Sequence, residues 1–308
     1  MDLSRLWNPW RRPNATDPRS PWADHQLRAA LDDLERLTRE RPELRSPAAV
    51  LAGVLMAAFG GPRPASSPRD LADLSDPAIE RVLECWSAQR PAHEAELPEV
   101  DPAELNRRAH AVASSLAGEN PEAAKLLTAI QRDPARIHRW FQLAWRERPE
   151  AVESAVRQSG CPPSLAVSIL RIVSLALLSD WSAALSRLLA QSGRWSQGHC
   201  PCCGAAAALA ELRGLEQRRF LRCDRCGGDW HLERVRCPFC LESDHRSLRY
   251  LFAEGEENRY RLAVCDACGG RLKWIATLEP LSPPRLLVAQ LAMVHLDLIE
   301  EPGEIETT

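Results

Sequence analysis

Cys200-Pro201-Cys202-Cys203-Gly204 opens the stretch that decides this chain, and Cys265-Asp266-Ala267-Cys268-Gly269-Gly270 closes it. Four Cys-x-x-Cys pairs lie within it: Cys200/Cys203, Cys223/Cys226, Cys237/Cys240 and Cys265/Cys268. They use eight of the eleven cysteines in 308 residues. Two cysteines separated by two residues can aim both sulfurs at one ion, because the chain turns back between them. Two such knuckles supply the tetrahedral four-thiolate set that zinc and iron favour. Eight thiolates therefore predict two closed mononuclear sites. The flanks agree: Pro follows Cys200 and Cys237, and Gly follows Cys203, Cys226 and Cys268. Pro presets the turn, and Gly admits the positive φ that turns backbone amides toward sulfur. A disulfide or dithiol redox region is the competing reading of one pair; four pairs with these flanks favour metal.

The pairing of the knuckles stays open at this level. Nineteen residues separate Cys203 from Cys223, and twenty-four separate Cys240 from Cys265. Ribbon folds place roughly 15–20 residues between knuckles. Sequential pairing gives two independent ribbons, each a hairpin with a knuckle at each end. Interleaved pairing joins the first knuckle to the third and the second to the fourth. Ten residues separate Cys226 from Cys237, so the two sites are close either way.

Outward from the cysteines the chain changes character. Residues 1–20 are polar and broken by proline, and no apolar segment follows Arg11-Arg12. A signal peptide needs that segment, so the expectation is a flexible arm on a cytoplasmic protein with reduced thiols. Residues 21–192 read as helical. Asp76-Pro77, Asp101-Pro102, Asn120-Pro121 and Asp133-Pro134 each put a capping side chain before a proline suited to the first helical position. Glu104 completes a variant capping box with Asp101, and Ser46-Pro47 marks a further start. Leu27, Leu31, Leu34 and Leu37 recur at helical spacing, as do Val82, Leu83 and Trp86. Seven or so helices in a bundle-like array are expected. The longest apolar run, Leu165–Leu178, is interrupted by Arg171 and is too short to span a bilayer, so it predicts a buried central helix. Cys85 reads as core and Cys161 as an interhelix loop residue.

After a linker at Gln191–Gln197 come short strand-like runs, Arg219–Arg222 before Cys223 and Tyr260–Val264 before Cys265, with Glu254–Asn258 as a hairpin tip. This double four-cysteine domain, 198–276, has little apolar material, so metal must supply on the order of 10 kcal/mol or more per site toward folding. A C-terminal helix at 280–300, capped by Ser282 and carrying Leu286, Leu287, Leu291, Val294 and Leu298 on one side, precedes an acidic tail at 301–308. The expected class is α+β: an all-helical N-terminal domain, two tandem rubredoxin-like or zinc-ribbon modules, and a C-terminal helix.

Charge argues against nucleic acid. Cys200–Trp274 carries thirteen Lys or Arg against eleven Asp or Glu, and eight thiolates around two divalent ions turn that small excess negative. A phosphate footprint needs the opposite sign. Trp195, Trp230 and Trp274 are expected to pack over the sulfurs rather than stack on bases. Closed four-thiolate sites leave no position for substrate. The chain also has no Gly-rich phosphate loop, no His-Glu-x-x-His and no Gly-x-Ser-x-Gly, so no enzyme and no catalytic residue is expected. His199, His231 and His245 stand beside knuckles already supplied with four thiolates, and are read as outer residues. A rubredoxin-like electron carrier, or a zinc ribbon binding nucleic acid or protein, are the alternatives.

The string Cys200-Pro201-x-Cys203-Gly204, Leu221-Arg222-Cys223-x-x-Cys226-x-x-x-Trp230, Arg234, Cys237-Pro238-x-Cys240 and Cys265-x-x-Cys268 ending in Lys273 resembles the formate dehydrogenase accessory proteins of the FdhE family. The resemblance extends over the helical N-terminal part and the C-terminal helix. It implies a cytoplasmic maturation factor that binds the catalytic subunit of a respiratory, twin-arginine-exported formate dehydrogenase, without nucleic acid and without membrane insertion. It further implies two iron ions held in rubredoxin-like fashion by Cys200, Cys203, Cys223, Cys226, Cys237, Cys240, Cys265 and Cys268, with Cys202 left out. Zinc shares this ligand set, and a redox or a purely structural role for the metals both remain open.

Overall fold

Where a side chain can satisfy first-turn amides, the helices begin as the sequence predicts. The computed structural model describes residues 21–61, 74–95, 97–118, 120–146, 149–193 and 195–299. The expected arm at 1–20 and the acidic tail at 301–308 lie outside them. Helices α1 (Pro21–Glu40), α2 (Arg45–Phe59), α3 (Asp76–Ser87), α4 (Pro102–Ala117), α5 (Pro121–Arg132), α6 (Ala135–Arg146), α7 (Pro149–Gln158) and α8 (Pro163–Ser192) precede the sheet. Asp101 accepts from the Ala103 amide, and Asn120 from those of Glu122 and Ala123. Ser75 rather than Asp76 takes the cap position of α3, without a side-chain bond. Glu104 does not act as a capping-box partner: its carboxylate is taken by Arg107 and Arg108 one turn on, where charge pairing wins over a single amide bond.

The apolar run at Leu165–Leu178 lies inside α8, whose 30 residues make it longer than the run suggested. Among the described residues it is the one helix that is long and apolar enough to cross a membrane, and half of its most apolar window is buried inside the protein. It is the central buried helix: Ile169, Val173, Leu177, Leu178, Trp181 and Leu185 are all in the core. Arg171, which interrupts the run, leaves the core to pair with Asp224 inside the second knuckle. The interruption is therefore a docking contact between helix and knuckle.

Six strands follow: β1 (Leu209–Arg213), β2 (Arg218–Arg222), β3 (Asp229–His231), β4 (Leu248–Leu251), β5 (Tyr260–Cys265) and β6 (Arg271–Thr277). They are not two independent ribbons. They form one sheet of order β3-β2-β1-β6-β5-β4, antiparallel throughout except for the parallel β1–β6 pair. The reason lies in the repeat. Each ribbon is a three-stranded antiparallel unit whose first and third strands run the same way. Two units laid side by side in the same orientation must meet first strand to third, and therefore in parallel. Ala210–Arg213 pairs with Trp274–Thr277 in that register.

The sheet also has more to bury against than its own composition suggests. One hydrophobic cluster runs from Trp86, Leu105 and Ile137 through Leu177 and Trp181 of α8 to Leu221, Trp230 and the buried cysteines of the first two knuckles. Ser196 and Gln197, at the end of the stretch read as a linker, are pinned, since Gln89 just after α3 accepts from both. Helix α9 (Pro283–Ala292) packs on both parts: Arg285 pairs with Asp33 of α1 at 2.5 Å, while Leu286 and Ala289 share a cluster with Tyr260, Leu262 and Val264 of β5. Ser282 holds its cap position without a side-chain bond. The helix stops at Ala292, short of the expected 300. A 3₁₀ turn, Val294–Leu298, follows, and Val294 and Leu298 face solvent rather than continuing the apolar side.

Candidate metal centres

All four knuckles are one turn repeated. In each, the amide four residues after the first cysteine bonds back to that cysteine's carbonyl: Gly204 to Cys200, Gly227 to Cys223, Leu241 to Cys237 and Gly269 to Cys265. Each first-cysteine amide in turn bonds forward to a carbonyl five residues on: Ala205, Gly228, Glu242 and Gly270. Closing both bonds drives the residue after the second cysteine to positive φ, +71° at Gly204, +81° at Gly227, +62° at Leu241 and +68° at Gly269. Glycine accepts that conformation without a Cβ clash, which is the physical content of the Cys-Gly flank. Leu241 is the exception to the flank, and adopts it against its side chain. Within the second and third knuckles, the amides of Arg225 and Phe239 each lie 3.4 Å from the first sulfur, Cys223 or Cys237.

The knuckles group in sequence order. Cys200, Cys203, Cys223 and Cys226 come together, as do Cys237, Cys240, Cys265 and Cys268, with all sulfurs of a group within 4.8 Å of one another. Sγ–Sγ distances within the groups include 3.6 Å for Cys200–Cys226, 3.5 Å for Cys203–Cys223, and 3.7 Å for both Cys237–Cys268 and Cys240–Cys265. A tetrahedron with metal–sulfur bonds of about 2.3 Å has edges of about 3.8 Å. A disulfide would hold the sulfurs at about 2.05 Å. The donor set and its spacing therefore fit a four-thiolate ion in each group. Burial raises the Cys200 and Cys203 thiols well above the ordinary range, and a divalent cation is what would let four adjoining sulfurs carry charge together.

Cys202 is buried beside the first group but outside it, with its sulfur 3.8 Å from the Ser182 carbonyl. Cys85 and Cys161 are buried in the helical part, Cys161 in the turn before α8. None of His199, His231 and His245 joins either group. His199 stacks edge-on to Trp195, His231 to Phe220, and His245 meets Asp244. Trp195, Trp230 and Trp274 are buried, so their faces are not presented to bases.

Several positioning residues gave no signal in the sequence. Trp86 donates to the Pro201 carbonyl at 2.9 Å, and the amides of Ala92 and His93 bond Pro201 and Cys202, clasping the first knuckle from α3 and the turn after it. Ser182 of α8 donates to the Cys226 carbonyl, and Arg225 donates to Ala144 while lying over Trp145. Gly198 packs so closely on the Pro238 carbonyl that a Cβ there would overlap it, which couples the entry of the first ribbon to the third knuckle. Arg219 donates to the Leu232, Glu233 and Arg236 carbonyls and lies over Trp274, holding the loop that delivers Cys237. Burial pushes its pKa down to about 10, and it stays a cation at neutral pH.

Glu211 is fully buried on β1 and pairs with both Arg213 and Arg222. Arg222 also donates to the Leu281 carbonyl, and Arg213 to Asp229. Burial alone would raise the Asp229 carboxyl, but Arg213 and Arg222 outweigh it and hold it below the usual range. In the sequence these are ordinary strand charges; the β1–β2 and β2–β3 pairings bring them together.

No protein-family model matches the chain. It is 34% identical over 146 residues to a protein FdhE homolog of Stutzerimonas stutzeri, covering 46% of this chain and 47% of that one. It is 31% identical over 104 residues to protein FdhE of Escherichia coli O127:H6, covering 32% and 33%. The matched stretch thus spans about half the length of these curated relatives, or less. The fold matches the crystal structure of the FdhE protein from Pseudomonas aeruginosa with a TM-score of 0.57 at 23% identity, covering 92% of both chains. The chain is thus similar to FdhE proteins over part of its length, and its fold is that of an FdhE structure.

Proposed function

We propose that this chain is a non-enzymatic accessory factor for formate dehydrogenase. It acts in the cytoplasm and binds the catalytic subunit of a respiratory enzyme before that subunit is exported by the twin-arginine route. The observation that carries the reading is the pair of four-cysteine groups, set side by side on one sheet and backed by a helical body, in a fold shared with an FdhE protein. Cys200, Cys203, Cys223 and Cys226 would hold one ion, and Cys237, Cys240, Cys265 and Cys268 the other, with iron favoured. Each ion would cross-link two knuckles and supply folding free energy on the order of 10 kcal/mol or more. The protein residues do the rest: they aim the thiolates, seal the first group and hold the two ribbons in register. A four-thiolate centre offers a substrate no open coordination position, which supports a binding role over catalysis.

Two measurements test this. Anaerobic purification should yield two metal ions per chain, with thiolate-to-iron charge-transfer bands if iron fills the sites. A tagged chain should also capture the formate dehydrogenase catalytic subunit from extract, and a strain lacking this chain should make that subunit in inactive form. Normal activity in that strain would overturn the reading.

A further inference from the structure

The two groups of four sulfurs are alike in spacing and unlike in access. In the first, Cys200, Cys223 and Cys226 are 0% exposed and Cys203 is 2% exposed. In the second, Cys237 and Cys265 are each 1% exposed, but Cys240 and Cys268 are on the surface. The backbones differ in the same way. The first pair of knuckles is clasped by Trp86, Ala92, His93 and Ser182 of the helical body, and Arg225 of the second knuckle reaches out to the Ala144 carbonyl of α6. The second pair sits on β4, β5 and β6, where β4 is an edge strand of the sheet and only half-buried; the other edge, β3, packs against α8. Its cover is the Phe239 ring lying against Gly270, and Phe239 is itself 44% exposed.

From this contrast, and resting on the two-centre reading above, we infer that the two centres have different lifetimes. The Cys237/Cys240/Cys265/Cys268 centre is the exchangeable metal site of the folded protein, open to an incoming soft ligand such as a thiolate or a nitrogen chelator. The Cys200/Cys203/Cys223/Cys226 centre is a permanent cross-link. Ligand exchange at a closed tetrahedral ion needs a donor to reach the ion, or one thiolate arm to swing into water. Cys240 and Cys268 can do the second without disturbing the core. No arm of the first centre can move until α8 and the turn at Ala92–Glu94 separate from the sheet, which is global rather than local opening. The step moves no electrons. The cation leaves with the incoming donor, and the freed thiolates take protons from water or receive the next cation.

The test uses the full-length chain loaded with two zinc ions and challenged with the chelator 4-(2-pyridylazo)resorcinol under native conditions. One equivalent should leave about tenfold or more faster than the other, and the slow one should be released together only with urea-induced unfolding. Iodoacetamide present during the fast phase, followed by peptide mass mapping, should label Cys240 and Cys268 and spare Cys200, Cys203, Cys223 and Cys226. This needs no variant. Cys240→Ser should then abolish the fast equivalent and keep the slow one. Release of both equivalents at one rate, or first labelling at Cys200–Cys226, would overturn the division. A chain that binds fewer than two zinc ions would overturn the two-centre reading itself and the division with it, and the stoichiometry tells that failure apart from the others.

Discussion

The repeated turn makes a quantitative demand at the residue after each second cysteine, and two alanine substitutions separate its parts. Gly269 and Gly227 share the left-handed conformation, with φ of +68° and +81°. An alanine there pays about 1–2 kcal/mol for its Cβ. It regains about 0.4–1 kcal/mol from a stiffer unfolded chain. At Gly269 nothing lies within 4 Å of the added carbon, so the net loss for Gly269→Ala should be about 1 kcal/mol. At Gly227 the same carbon meets Leu175 Cδ1 at 3.3 Å, Ser179 Cβ at 3.3 Å and Ser179 Cα at 3.5 Å. Leucine can turn aside, but the Ser179 backbone belongs to α8 and cannot. Overpacking of this kind costs a further 1–3 kcal/mol or so, which brings Gly227→Ala to about 2–4 kcal/mol. The assay is urea unfolding of both metal-loaded variants beside the parent, with metal content measured on the same samples. Leu241→Gly supplies the converse, since it removes a Cβ from the same conformation and should cost nothing or stabilise. Equal losses at Gly227 and Gly269 would refute the packing of α8 on the second knuckle. A large loss from Leu241→Gly would refute the turn as the origin of the flanking glycines.

Three further outcomes follow from the same geometry. Cys202→Ser should retain two metal ions per chain, because the Cys202 sulfur lies outside the first group; loss of one ion on metal analysis would make it a ligand. Gly198→Ala should lower the urea midpoint by the equivalent of roughly 2 kcal/mol or more, since the added carbon overlaps the Pro238 carbonyl and forces the third knuckle off the first ribbon; an unchanged midpoint would contradict that contact. Asp229→Asn should be less stable than the parent at neutral pH. The folded carboxyl sits below its unfolded value, so its contribution is complete above the unfolded range near pH 4 and is lost as pH falls through the depressed value. The gap between parent and variant in urea titrations should therefore close on acidification, and a gap independent of pH would show that the Arg213 pairing does not stabilise the fold.

Much of the fold was legible because its causes are local. Asp101 and Asn120 cap helices within three residues of themselves, and the Cys-Pro and Cys-Gly flanks describe a turn closed within five. Strands β2 and β5 were visible as short runs delivering Cys223 and Cys265. Where local and distant partners compete, the sequence misled. Glu104 was drawn to arginines one turn away, Ser282 holds a cap position without using its hydroxyl, and the apolar spacing past Ala292 continues in residues that face water. Arg171 looked like a break in an apolar helix because its partner, Asp224, lies fifty-three residues downstream.

By itself, the sequence determined the eight sulfurs, their four turns and the helical body, because each rests on contacts within a few residues. Tertiary structure decided which knuckles meet, that two ribbons share one sheet through the parallel β1–β6 pair, and that Glu211, Arg213 and Arg222 form a buried network. It also decided that one group of sulfurs is sealed by α8 while the other keeps Cys240 and Cys268 at the surface. These are properties of chain segments far apart in sequence. The two groups have the same four-cysteine spacing and the same local turn, so the body packed against one of them is what makes them different.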